Sequence, residues 1–84
     1  MFYVYVLKSE KDGNLYFGYT DNLALRIKLH NSGKVMSTKD RIPFVLIYFE
    51  AYKNRKDARR REVQLKKLGS QRETLKKRIR GSLE

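Results

Sequence analysis

The segment "FYVYVLK" at residues 2–8 is almost entirely β-branched or aromatic. Such a run reads as a strand covered on both faces, because a strand with one wet face alternates apolar with polar residues. A chain of 84 residues makes one small domain, expected to span 1–84, with room for a single core. The chain has no cysteine, and 40% of its residues are hydrophobic. The core therefore rests on side-chain packing, a cysteine zinc site is excluded, and a reducing, cytoplasmic setting is expected.

The rest of the chain supplies partners for that strand. "EKDGN" (10–14) contains Asp12-Gly13, a hairpin signal, and "LYFGYT" (15–20) reads as the return strand. Thr20 or Asp21 is suited to cap a helix beginning near Asn22, and Gly33 in "NSGK" is a natural left-handed stop. Residues 34–42 are polar and irregular, and a third strand, "PFVLIYFEAY", follows at 43–52. Asn54 and Asp57 mark the start of a second helix that runs to about Leu68 and ends at Gly69. Ser70 and Glu73 have capping-box spacing for a last helix reaching about Arg80. The expected fold is α/β (α+β): a small, largely antiparallel three-stranded sheet flanked by three helices, in the order β-β-α-β-α-α.

Charge is unevenly spread. Twenty Lys and Arg face nine Asp and Glu, a net +11. Residues 53–80 hold thirteen of the cations against Asp57, Glu62 and Glu73, which leaves them at +10. A basic end of this kind suits a polyanion, most often nucleic acid; the bland alternative is a solvated basic surface. The first ten residues have no basic leader and no small-residue cleavage site, so a signal peptide is not expected. "IPFVLIYF" (42–49) is far too short to span a membrane.

The first helix contains a conflict. At about 100° per residue, Leu25, Leu29, Leu23 and Ile27 define an apolar arc whose middle holds Arg26 and His30, an i,i+4 pair. Ala24, Lys28 and Asn31 fall on the opposite side. An unpartnered guanidinium in an apolar core costs several kcal/mol, so this arc should face a wet cleft or a carboxylate. The alternative is an arginine that snorkels to the helix edge. The second helix is the mirror case, cationic nearly all round, with Glu62 on the side marked by Ala58, Leu65 and Leu68. Glu62 is either paired, with Arg26 or with Lys66 four residues on, or free to ligate a metal. If Asp12-Gly13 is a two-residue turn, paired positions sum to 25. Tyr3, Tyr5 and Leu7 then share a face with Tyr16, Gly18 and Thr20, and Gly18 leaves open space beside the tyrosines. Taken singly, each tyrosine is also consistent with simple core or edge packing.

Together these residues resemble the GIY-YIG nuclease domain, in particular its small stand-alone bacterial branch. "YVYVLKS", "DGNLYFGYT", "LRIKLHNSG", "PFVLIYFEAY" and "RRREVQLKK" come in that family's order and cover nearly the whole chain. The first motif has Tyr3 where the family name has glycine, and the second has Phe17 where it has isoleucine. The asparagine of the homing-endonuclease branch has no clear counterpart after Glu62, and a separate DNA-targeting domain is not expected, so substrate choice stays open. The resemblance implies metal-dependent hydrolysis of nucleic acid phosphodiesters, in DNA processing or repair, with DNA the more expected substrate. It puts the two motif tyrosines at Tyr5 and Tyr16, the arginine at Arg26, a histidine at His30 and the metal-binding glutamate at Glu62. Lys8 falls where the bacterial excision-repair nucleases have a lysine.

In such chemistry Glu62 would hold Mg²⁺ or Mn²⁺, because Mg²⁺ keeps several waters and often takes one or two carboxylates. Arg26 would grip a phosphate oxygen. The proton of the attacking water would go to Tyr5 or Tyr16, with a pKa lowered by a nearby cation, or to His30, which ordinarily titrates near neutrality. Lys8, Gly18, Arg59, Arg60 and Lys66 are the expected substrate contacts, the cations among them tracking phosphates. Two other readings fit the composition: a nucleic-acid-binding module that no longer cuts, and a small basic ribosome-associated protein.

Overall fold

In a computed structural model describing residues 1–84, the strand of residues 2–8 lies at the centre of its sheet. The strands β1 (Phe2–Ser9), β2 (Leu15–Thr20) and β3 (Phe44–Tyr52) are ordered β2-β1-β3 with both pairings antiparallel. The helices are α1 (Leu23–Asn31), α2 (Arg55–Lys67) and α3 (Gly69–Arg78), and short 3-10 turns follow at Lys39–Arg41 and Arg80–Leu83. The fold is the expected α+β arrangement in the expected order.

Both faces of β1 are covered, which is why it lacks polar alternation. On one face Val4 and Val6 pack with Ala58 and Leu65 of α2 and with Leu75 and Ile79 from the α3 end. On the other, Tyr5 and Leu7 pack with Phe44, Tyr16, and Leu23 and Ile27 of α1. A bulge in the β1–β3 pairing, between Val6 and Leu7, makes Ile47 an extra residue in β3. Below it Leu46 packs on the α1 side, while Ile47 and Tyr48 pack on the α2 side.

The hairpin register differs from the two-residue turn. Tyr3 pairs with Thr20, Tyr5 with Gly18 and Leu7 with Tyr16, so paired positions sum to 23. The Ser9 hydroxyl takes the N–H groups of Lys11 and Asp12, Asn14 N–H donates to Asp12, and Gly13 is left-handed at φ 73°. The loop is two residues longer than read. Because the shift is even, the same side chains still share a face.

The helix ends follow local chemistry. Asn22, rather than Thr20 or Asp21, caps α1 by accepting the Leu25 N–H, while Thr20 braces Asn22. Gly33 has φ 78° and stops the helix as expected. Gly69 does not stop α2: Leu68, in extended conformation, ends α2 and begins α3, and Gly69 is already helical. The Ser70–Glu73 capping box does not form. Instead Arg72 Nη1 donates to the carbonyls of Leu65 and Lys66 at 2.9 Å each, satisfying α2's C-terminal end. No helix is long and apolar enough to cross a membrane.

Candidate active site

The opposed pair Tyr5 and Gly18 sets the site's floor. A Cβ on Gly18 would collide with the ring and hydroxyl of Tyr5. The space beside Gly18 is therefore filled by Tyr5 rather than open to substrate, and Gly18 acts by letting that ring lie flat across β2.

The Tyr5 hydroxyl ends against α1. It lies 2.8 Å from His30 Nε2, and Arg26 Nε donates to it at 3.4 Å. His30 Nδ1 in turn is 2.8 Å from the Thr38 hydroxyl. Tyr5, His30 and Thr38 are all buried. The middle of the α1 arc thus divides: His30 sits in solid core among Tyr5, Tyr16 and Phe44, while Arg26 is half-buried. The arc is also narrower than its sequence suggested. Leu25 is exposed, and Asn31, expected on the far side, clasps the backbone of Phe44 through both amide atoms.

This burial decides the titration of the seam. Desolvation, and then the Arg26 charge, lower His30 to about 4, so the imidazole is neutral at pH 7 instead of titrating near neutrality. Burial raises the Tyr5 phenol, against the pull of the Arg26 guanidinium. The lowered tyrosine pKa expected from a neighbouring cation does not occur at Tyr5. Both ring nitrogens of His30 are engaged and the ring is buried, so it cannot itself meet a water.

Tyr16 differs from Tyr5. Its ring stands 5.0 Å from that of His30 and 6.5 Å from that of Tyr5, but its hydroxyl takes no partner from the protein. No buried side-chain polar atom is left unpaired, so this hydroxyl faces solvent. Lys66 Nζ lies 5.7 Å from the Tyr16 ring centre and 3.1 Å from Glu62 Oε2, which brings α2 to the edge of β2. Arg59 Nη1 reaches Glu62 Oε1 at 3.3 Å, and the Glu62 charge is near enough to push the Tyr5 phenol upward. The Glu62 side chain keeps only 12% of its exposure. Of the two pairings foreseen for Glu62, the one with Lys66 forms and the one with Arg26 does not. Arg26 makes no ion pair within the protein.

Tyr5, Tyr16, Arg26, His30 and Glu62 are thus gathered at the β2 side of the sheet, with Arg59 and Lys66 on the glutamate. Two expected contacts lie elsewhere. Lys8 shares the parity of Val4 and Val6, so it points to the α2–α3 face and donates to the Leu83 carbonyl. Arg60 is exposed on α2 and pairs with Asp57 at 3.6 Å. Thr38, which fixes the far side of His30, went unforeseen: a threonine in a polar loop has no periodic pattern to betray its burial. No group of three or more His, Cys, Asp or Glu is placed to cage a metal. A single, mostly buried carboxylate instead fits a hard ion that keeps most of its waters.

Comparison with known proteins identifies the family. The family model of the GIY-YIG catalytic domain matches residues 1–80. A UPF0213 protein of Clostridium perfringens is 49% identical over 69 residues, covering 81% of this chain and 73% of the relative. One from Staphylococcus haemolyticus is 46% identical over 70 residues, covering 82% and 84%. The solution NMR structure of a UPF0213 protein from Bacillus halodurans is similar at 40% identity with a TM-score of 0.57, covering 89% of this chain and 82% of that one.

Proposed function

The chain belongs to the GIY-YIG family of nuclease domains, and we propose that it is an active, Mg²⁺- or Mn²⁺-dependent endonuclease that hydrolyses phosphodiester bonds, in DNA more readily than RNA, within the cytoplasm. The observation that carries this reading is the state of Arg26: a half-buried guanidinium with one N–H on the Tyr5 hydroxyl and no carboxylate partner. Its outer N–H groups are free to take two oxygens of a phosphate.

The roles follow from access. Tyr16 has the solvent-facing hydroxyl and, as its phenolate, would receive the proton of the attacking water. Tyr5 and His30 would act behind the site: the Tyr5 hydroxyl fixes Arg26 on one side and meets a neutral imidazole on the other. Glu62 would hold the metal, which supplies charge neutralisation at the phosphate and help for the leaving oxygen. Arg59 and Lys66, both largely exposed, lie against Glu62 and would shift to neighbouring phosphates when it ligates. The retained set of inward polar side chains favours cutting over binding alone.

The test is cleavage of plasmid, linear and single-stranded DNA, and of RNA, by pure protein with Mg²⁺ or Mn²⁺. Glu62→Gln should abolish turnover, and Arg26→Ala should slow it by about 10²- to 10³-fold, with unchanged circular dichroism. Cutting that persists in Glu62→Gln, or no cutting by the unmodified chain, rejects the proposal.

A further inference from the structure

On the α2–α3 face, between the β1–β2 turn and α3, lies a groove of about 450 Å³ lined by Lys8, Arg72 and Lys76 with Asn14, Leu15 and Phe17. No carboxylate side chain lines it. All three cations are half-buried. Lys8 bonds only to the Leu83 carbonyl, and Arg72 only to the carbonyls of Leu65 and Lys66. Lys76 has one partner, Glu73 at 3.6 Å, in an exposed i,i+3 pair of little strength.

On the same face of the sheet the protein neutralises one such charge. Arg61, also half-buried, meets Glu50 through three N–H···O contacts of 3.0–3.2 Å. Gathering three cations with only that one weak Lys76–Glu73 pair against them costs repulsion and desolvation that a bound anion would relieve. Two of the three heads are anchored by backbone carbonyls, so the groove is preorganised.

Its position identifies the anion. Leu15 and Phe17 face the groove, while Tyr16 between them faces the candidate active site on the other side of β2. β2 is an edge strand, so nothing in the sheet separates the two. Arg72 bonds to the carbonyl of Lys66, whose ammonium lies over Tyr16. Cations therefore follow one another along this edge from Arg59 to Lys66, Arg72, Lys76 and Lys8.

We infer that this groove is a second phosphate-binding site, which holds the backbone of the substrate strand after it crosses the β2 edge, away from the scissile bond. The inference rests on the proposed nuclease function for the identity of the polyanion. It assigns Lys8 to a role outside the cleft.

The test measures binding, in EDTA, of oligonucleotides of about 16 and about 4 nucleotides at several salt concentrations. Lys8→Met/Lys76→Gln is compared with Lys53→Gln/Lys56→Gln, which removes the same charge from exposed positions outside the groove. Arg72 is left intact because it caps α2. The groove variant should bind the longer strand about tenfold more weakly and bind the shorter strand unchanged. Its log–log salt slope should be shallower by about 1.4, for two lost single-strand contacts. The control variant should keep the slope of the unmodified chain.

Equal losses in both variants, no loss in the groove variant, or no binding by the unmodified chain overturns the inference. If the groove variant shows its expected loss and nothing is cut, the groove stands and the nuclease reading falls. If DNA is cut with an unchanged slope, the reverse holds.

Discussion

Two polar clusters, one buried and one half-buried, sit on opposite faces of one small sheet, and they are built to different ends. On the α2–α3 face, Glu50 accepts hydrogen bonds from Tyr48, Tyr52 and Arg61, and Arg61 also donates to Gln71. Within that cluster the Glu50 carboxylate and the Arg61 guanidinium neutralise each other. Burial raises Tyr48 and Tyr52, as do their bonds to Glu50, and both stand at about 12. Burial would raise Glu50 too, but its hydrogen bonds from Tyr52, Tyr48 and Arg61 outweigh that and lower it. On the α1 face, Tyr5, His30 and Thr38 are equally well bonded, but the chain ends at Arg26, whose charge has no counterpart. A closed cluster holds a fold together. An open one, with its free valence at a solvent boundary, is arranged for something that arrives.

The largest effect should come from removing one hydroxyl from each cluster. Tyr16→Phe deletes the solvent-facing phenol and should lower cutting by about 10²- to 10⁴-fold, the usual range for a lost proton acceptor, with an unchanged melting temperature. Tyr48→Phe should leave cutting intact and lower the melting temperature slightly. Kinetics and thermal melts on both variants check this pair. Equal loss of activity in the two would erase the distinction between the clusters.

Next comes the charge balance of the closed cluster. Glu50→Ala leaves Arg61 mostly buried without its anion and strips two phenols of their acceptor, so urea unfolding should show a loss of about 3 kcal/mol. The initial cutting rate well below the melting temperature should stay near that of the unmodified chain. A smaller but paired loss is expected of Gly18→Ala, whose new methyl meets the Tyr5 ring. Overpacking of this sort costs about 1–3 kcal/mol. Because Tyr5 positions Arg26, stability and activity should fall together there.

Much of this was legible because helices and strands are periodic. The order of elements, the shared face of Tyr5 and Tyr16, and the inward side of Arg26 and His30 all follow from periods of 2 and 3.6. An even error in the hairpin register left them untouched. What periodicity cannot tell is depth. His30 and Arg26 fall close together on the α1 wheel, yet one is entombed and the other reaches the boundary, because Phe44 and the loop carrying Thr38 close over the C-terminal end of the helix alone. Side-chain identity also hides partners distant in sequence. Arg72 capping α2, Lys8 reaching Leu83 and the Glu50–Arg61 pair leave no local pattern. Glu62 was picked out by being the one acid on an inward cationic side, and the i,i+4 spacing already offered Lys66 as its partner, but Arg59 emerges as its second partner only in three dimensions.

The smallest effect separates the clusters by proton uptake. His30 has a folded pKa of about 4 against an ordinary value of 6.5. The unfolded chain therefore binds more protons between these values, and stability must fall as pH falls through that window. The contribution is fully present above pH 6.5. Between about pH 7.5 and 5.5 the loss should be about 1 kcal/mol. Glu50, lowered from its ordinary 4.5, also gives stability that is lost on acidification, but only in the range below that value. The two clusters thus report in different windows. Urea unfolding of the unmodified chain at a series of pH values should show a first decline starting near pH 6.5 and a second starting near pH 4.5. His30→Gln, which does not titrate, should remove the first decline and keep the second. A first decline that survives in His30→Gln would mean that the imidazole is not held neutral, and that the seam behind Arg26 carries charge of its own.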